Sequence, residues 1–153
     1  TLGLLFILML FASYSCDRDS DDRTDILENT SWNLIGYKDN RGNYSTVVYP
    51  NDCSDNSCYM LMFKDGSIFG TYDNIPQNKD FGLGNYIAYT DKRFEYIDLP
   101  AIETISFGEN NDKYIQSMIF VNKYDIKDNI LTLFTKESIE TEGVILIFQK
   151  KEL

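Results

Sequence analysis

Histidine is absent from this chain of 153 residues. That absence removes the Ser-His and Cys-His nucleophilic arrangements, together with every zinc site that depends on an imidazole. No SxxK or GxSxG stretch offers a lysine-activated or elbow-mounted serine in their place. Basic residues are scarce too: 14 Lys and Arg face 24 Asp and Glu, for a net charge of −10. Neutralising a phosphate backbone requires clustered Lys and Arg, so this balance argues against nucleic acid as a partner. It equally disfavours adhesion to anionic lipid through a basic patch. Proline occupies only three positions, and no repeat or low-complexity tract divides the chain, which has the length of a single domain.

Long apolar runs are limited to one, LGLLFILMLFA from Leu2 to Ala12. It is too short to span a bilayer as a helix and suits the apolar centre of a secretory signal peptide, assigned here to residues 1–15. Cys16 follows at once, and then DRDSDDRTD. A cysteine placed after such a run and after small residues such as Ser15 resembles the lipobox of bacterial lipoproteins. The resemblance implies that Cys16 becomes the new N-terminus and carries acyl chains, two or more of which anchor stably where one binds only marginally. Residues 16–25 then read as an acidic tether, since a charged segment with no apolar side chain cannot pack. In Bacteroidetes-type lipoproteins, acidic residues after the cysteine resemble a surface-display signal, which implies an outer-membrane lipoprotein exposed at the cell surface. Asp17, Asp19, Asp21, Asp25 and Glu28 also fall on the first, third, fifth, ninth and twelfth positions of a calcium-loop pattern. Asp22 stands where that pattern needs glycine and no helix enters the segment, so the tether reading is preferred and no metal is expected.

The two remaining cysteines lie in CSDNSC. Ser, Asp and Asn between Cys53 and Cys58 favour a turn that brings the two Cα atoms within bridging range, so a structural disulfide is expected. Closing so short a loop stabilises by about 2 kcal/mol in the chain-entropy account. Two thiols without imidazoles cannot complete a tetrahedral metal site, and the spacing is not that of a C-x-x-C redox pair. Ser54, Asp55, Asn56 and Ser57 would then form a clamped, preorganised loop, a candidate contact for a protein partner such as a secreted protease.

From Ile26 to the end, period-two alternation between turn signals predicts antiparallel β structure. SWNLIGYK, NYSTVVYP, CYMLMF, SIFGTY, GNYIAY, RFEYIDL, AIETISF, ILTLFT and GVILIFQK read as strands. Asp65-Gly66 marks one hairpin, and Asp128-Asn129 within KYDIKDNILTLF marks another. Only NDKYIQSMIFVN, Asn111 to Asn122, carries a helical face, formed by Tyr114, Ile115, Met118 and Ile119. The glycines of FGLGN suit a turn and a close backbone approach. The expected fold is mainly β: an antiparallel twisted sheet or partial barrel of about eight strands, covered by one helix.

No catalytic set emerges. Glu95 and Asp98 could pair as in a glycosidase, but carboxylate pairs arise by chance in so acidic a chain, and neither an enzyme nor a cofactor is expected. Tyr37, Tyr44, Tyr49, Tyr59, Tyr72, Tyr86, Tyr89 and Tyr96 could line a ligand face; strand propensity and half-buried packing explain them better. LENTSWNLIGY, FKDGSIFGTY, GNYIAY and the closing run YIQSMIFVNKYDIKDNILTLF…GVILIFQK resemble the META-type (HslJ-like) domain of small envelope lipoproteins, over residues 26–153. The family has no established catalytic residues to carry over. The resemblance implies a membrane-anchored, non-enzymatic binding or stress-related protein. A lipoprotein inhibitor of secreted proteases and a lipocalin-like carrier of a small apolar ligand are the alternatives weighed.

Overall fold

The computed structural model describes residues 22–47, 58–71, 81–99, 109–136 and 143–152. Among the described residues, nine strands and one helix follow in chain order: β1 (Thr30–Lys38), β2 (Tyr44–Thr46), β3 (Met60–Lys64), β4 (Ser67–Gly70), β5 (Phe81–Ala88), β6 (Phe94–Tyr96), α1 (Glu109–Ile119), β7 (Val121–Lys127), β8 (Ile130–Thr135) and β9 (Ile145–Lys150). They form one antiparallel sheet in the order β6-β5-β4-β3-β1-β9-β8-β7, with β2 added beside β1. Strands β1 and β3 to β6 run as one meander and β7 to β9 as another, joined by the pairing of the first strand β1 with the last strand β9, with β2 a small branch on β1. The two outer strands of the sheet then meet. Arg93 bridges Lys123, the Tyr124 amide donates to the Lys92 carbonyl at 2.9 Å, and the Tyr124 hydroxyl donates to the Tyr89 carbonyl at 2.8 Å. The sheet is therefore a nearly closed barrel, the mainly β architecture with a single helix that the alternation predicts.

Alternation explains the lumen. Trp32 and Leu34 of β1, Leu61 and Phe63 of β3, Leu131 and Leu133 of β8, and Leu146 and Phe148 of β9 are all buried. Asn33, Met62, Thr132 and Ile147, between them, point to the opposite side and are only partly buried, as a two-residue period requires. Two bulges adjust the pattern. In β1 the register against β9 shifts between Leu34 and Gly36, which turns Tyr37 into the core. In β5 the register against β4 shifts opposite Gly82 and Gly84, and Gly84 takes φ +92°, open to glycine at little cost. FGLGN is thus not the turn its glycines suggest but the first half of β5, with one glycine making the bulge.

Other boundaries also move. Cys58 and Tyr59 precede β3 in a turn, where Tyr59 has φ +63°. The helix starts two residues before Asn111 and stops at Ile119, because VNKYDIK continues as β7 and pairs with β8. RFEYIDL contributes only three residues to β6. The Asp65-Gly66 hairpin forms as expected, with φ of +53° and +71°, the conformation of a two-residue turn matched to strand twist. Asp128, at φ +56°, turns the β7–β8 hairpin. The AIETISF segment and the Cys53 loop lie outside the described residues.

The two mouths of the barrel are covered differently. At one, α1 lays Tyr114, Ile115 and Met118 over the strand ends. The Tyr114 ring meets Tyr59 edge-on at 5.3 Å and Phe148 at 6.4 Å, and the Tyr96 hydroxyl donates to the Met118 carbonyl at 2.6 Å. At the other, residues 22–29 cross the opening as a strap and insert Leu27, which is fully buried. Asp22 accepts from the Thr90 amide at 2.7 Å, and the Thr24 amide donates to the Ala88 carbonyl at 2.9 Å. The folded part therefore begins at least as early as Asp22, four residues before the expected tether boundary at Ile26.

Leu27 is the strap's only fully buried side chain. Leu27→Ala is expected to lower stability by about 2–5 kcal/mol, the range for a large-to-small change in a core. Urea unfolding followed by Trp32 fluorescence measures this, and a change within experimental error would show that the strap does not hold the mouth shut.

Candidate functional site

The strap and the β3–β4 hairpin meet at a carboxylate. Glu28 accepts from the Asp65 amide at 2.5 Å, from the Gly66 amide at 3.3 Å and from the Tyr86 hydroxyl at 3.1 Å. A left-handed two-residue turn leaves those amides pointing outward, and an anionic acceptor satisfies them more strongly than water does. The Leu27 carbonyl in turn accepts from the Thr30 hydroxyl, whose oxygen accepts from the Trp32 indole N–H at 2.7 Å. One acid thus ties the strap, the hairpin and β5 together. Its use here also removes Glu28 from the calcium pattern, of which Asp17, Asp19 and Asp21 lie outside the described residues.

Beside this latch lies an open cleft of about 360 Å³. Thr24, Asp25 and Glu28 of the strap form one wall, the Asp65-Gly66 turn forms the end, and Asn85 to Ala88 with Ile97 form the other side. Arg23 also lines it. The Asn85 side-chain oxygen accepts from the Ser67 hydroxyl at 2.7 Å, which leaves its amide nitrogen to donate elsewhere. The side chains of Arg23, Asp25 and Asp65 form no hydrogen bond or ion pair among the described residues. Ile97 is 57% exposed on the wall, and Ile26 on the strap is 56% exposed.

Under the cleft the core is aromatic. Tyr86 stacks on Phe94 at 5.5 Å with the planes 9° apart, and Phe63 meets both rings edge-on at 5.1 and 6.4 Å. Burial, and then the hydrogen bond to Glu28, push the Tyr86 hydroxyl far above the ordinary tyrosine value of 10. Burial does the same to Tyr96 and Tyr114, and raises Tyr124. Of the eight tyrosines considered as a ligand face, Tyr37, Tyr59 and Tyr86 are buried in the core and Tyr96 packs against it. Tyr44 lies outside, its ring over Gly36, where a Cβ would come within 2.5 Å of it, and its hydroxyl donates to the Ile35 carbonyl at 3.1 Å. Tyr89 donates to Glu95 at 3.0 Å, under the Arg93 guanidinium 4.1 Å from its ring centre. Tyr49 and Tyr72 are outside the described residues. Packing accounts for Tyr37, Tyr59, Tyr86 and Tyr96.

The lumen itself is occupied. Trp32, Tyr59, Phe63, Phe94, Tyr114 and Phe148 are fully buried within it or across its mouth. A carrier of an apolar ligand needs open space there. Glu95 is engaged by Tyr89 and by Arg93 at 3.5 Å, on an exposed surface. Among the described residues, no group of three or more Cys, Asp or Glu is placed to hold a metal ion. Cys58, half-buried before β3, is disulfide-bonded. Cys16, Cys53 and the loop Ser54, Asp55, Asn56, Ser57 lie outside the described residues, so the lipidation and the 53–58 pairing stand as expectations. Arg23, Asp65 and Asn85 did not stand out in the sequence, and Asp25 and Glu28 did so only as positions of the calcium-loop pattern. They come from three separate segments, and the Glu28–Tyr86 bond spans 58 positions.

Neither a family model nor a curated protein matches this chain. Two solved structures share its architecture. A protein from Burkholderia xenovorans, determined by NMR, superposes with a TM-score of 0.56 at 15% identity, over 84% of this chain and 86% of that one. A DUF4847 family protein from Bacteroides vulgatus superposes at 0.51, also at 15% identity, over 84% of this chain and 97% of that one. At such identity the likeness establishes the fold alone.

Two outcomes follow from the latch. Glu28→Gln keeps the shape but turns one accepting oxygen into an N–H donor, so at least one of the three hydrogen bonds is lost and the rest lose their charge; this should cost about 1–3 kcal/mol in equilibrium unfolding, and no loss would mean that water serves those groups equally well. A tyrosine whose folded value is raised contributes stability that is complete below pH 10 and is lost as pH rises through the folded value. Absorbance at 295 nm should therefore show exposed tyrosines titrating first, and the buried set ionising only together with unfolding at higher pH. A single smooth titration of all tyrosines near pH 10 would contradict this.

Proposed function

We propose that this chain is a non-enzymatic, membrane-anchored envelope lipoprotein that acts by binding at its outer surface. The observation that carries the reading is the contrast between a lumen filled with aromatic side chains and a polar-and-apolar cleft on the outside, at the strap. A packed lumen directs recognition to the exterior, where clefts of this size with a few convergent polar groups are the usual small-molecule sites. The missing histidine supports a binding role over nucleophilic or acid–base chemistry. The strap enters the fold at Asp22, six residues after Cys16, so an acylated Cys16 would hold the barrel close to an outer-membrane surface. The resemblance to META-type domains belongs to the same proposal and is compatible with a sheet covered by one helix.

Cys16→Ala should move the protein from the membrane fraction to the soluble fraction without changing its unfolding midpoint. Membrane retention of the variant would sink the anchored reading.

A further inference from the structure

The strap-side cleft combines features that point to one class of ligand. Arg23 supplies a guanidinium with no partner among the described residues, and Asn85 supplies an amide nitrogen, its oxygen being taken by Ser67. Both are donors suited to a phosphate oxygen. Asp25 and Asp65 supply carboxylates whose side chains are likewise unengaged, suited to an ammonium with three N–H donors. Glu28, the third acid of the cleft, is held by the Asp65 and Gly66 amides and by Tyr86 and does not compete. The site therefore presents both signs of charge within one cavity of about 360 Å³, the lower part of the range for small-molecule pockets. Apolar surface is at hand: Ile97 lines the wall and Ile26 follows Asp25 on the strap, each more than half exposed.

Position narrows the class further. The six residues from Cys16 to Asp22 reach at most about 20 Å at full extension. Resting on the anchored reading above, Arg23 and the cleft would then lie within that distance of the lipid headgroups, whatever shape the tether takes. We propose that the cleft binds the phosphoethanolamine headgroup of the membrane that carries the anchor. Arg23 and Asn85 receive the phosphate, Asp25 and Asp65 receive the ammonium, and Ile97 and Ile26 lie against the glyceryl and first acyl carbons. Binding would orient the barrel strap-down and leave the α1 mouth facing away from the bilayer.

The test uses the mature acylated chain, isotope-labelled, in maltoside micelles. Glycerophosphoethanolamine, glycerophosphocholine, glycerophosphoglycerol and inorganic phosphate are titrated separately, and the amide signals of Gly66, Asn85 and Ile87 are followed. Glycerophosphoethanolamine is expected to give saturable shifts, with the other three at least tenfold weaker, because choline has no N–H donors and the last two have no ammonium. Arg23→Gln, Asp25→Asn and Asp65→Asn should each weaken it tenfold or more with an unchanged unfolding midpoint, since none of these side chains holds the fold. No saturable shift, equal response to glycerophosphocholine or to phosphate, or variants that bind like the parent would each overturn the proposal. The two readings fail separately. Membrane retention of Cys16→Ala removes the anchor while leaving the titration interpretable, whereas normal release with a silent titration removes the headgroup site alone.

Discussion

An antiparallel sheet has two outer strands with unpaired backbone groups, and here they must find each other. β6 and β7 do so over a short seam: one bridge between Arg93 and Lys123, one amide bond from Tyr124 to Lys92, and the Tyr124 hydroxyl on Tyr89. The Lys92–Asp125 pair at 2.5 Å spans the same seam on the exposed side, where ion pairs contribute little. The barrel wall depends on this closure. Phe63, Tyr86 and Phe94, on β3, β5 and β6, pack edge-on and stacked on the inner side of the curled sheet whose outer strands it joins. The bulges at Gly36 and Gly84 supply part of that curl, because an extra residue in one strand bends it and increases its twist.

A closed sheet solves its edges but leaves two open ends, and this chain treats them unequally. The helix covers one with an aromatic and thioether face, through Tyr114 and Met118. The strap covers the other with a single leucine and an acid. The helical lid is a packing device, whereas the strap is a polar latch beside a cleft. That asymmetry gives the molecule a direction. The end through which the chain arrives from Cys16 is also the end that carries unpaired charges of both signs.

The filled lumen shapes the functional reading more than any single residue does. A barrel of this size is either packed with side chains or hollow enough for one small ligand. Six large aromatic side chains, none of them exposed, decide for the former here. Binding is then left to the outer surface, and affinity there must come from a few placed polar groups rather than from enclosure.

The mainly β class, the covering helix and the hairpin turns were legible from the chain because each is written locally. Alternation in TSWNLIGYK and ILTLFT, the Asp65-Gly66 turn, and the helical spacing of Tyr114, Ile115 and Met118 each act within a dozen residues. FGLGN misled because glycine has the same composition signature in a turn and in a bulge, and only the register against β4 separates the two. The pairing of the strap was silent for a related reason: Asp22 and Thr24 have no apolar side chain to announce that their backbones pair with residues 88–90. The cleft was beyond reach altogether. Its donors and acceptors come from the strap, a hairpin and β5, and ordinary polar residues acquire a common target only when the closed sheet brings those three segments together. The sequence alone thus determined the β class, the helix and which chemistry the chain lacks, since alternation and composition are local properties. Tertiary structure alone decided where charges of both signs converge, because convergence is a property of distances across the fold.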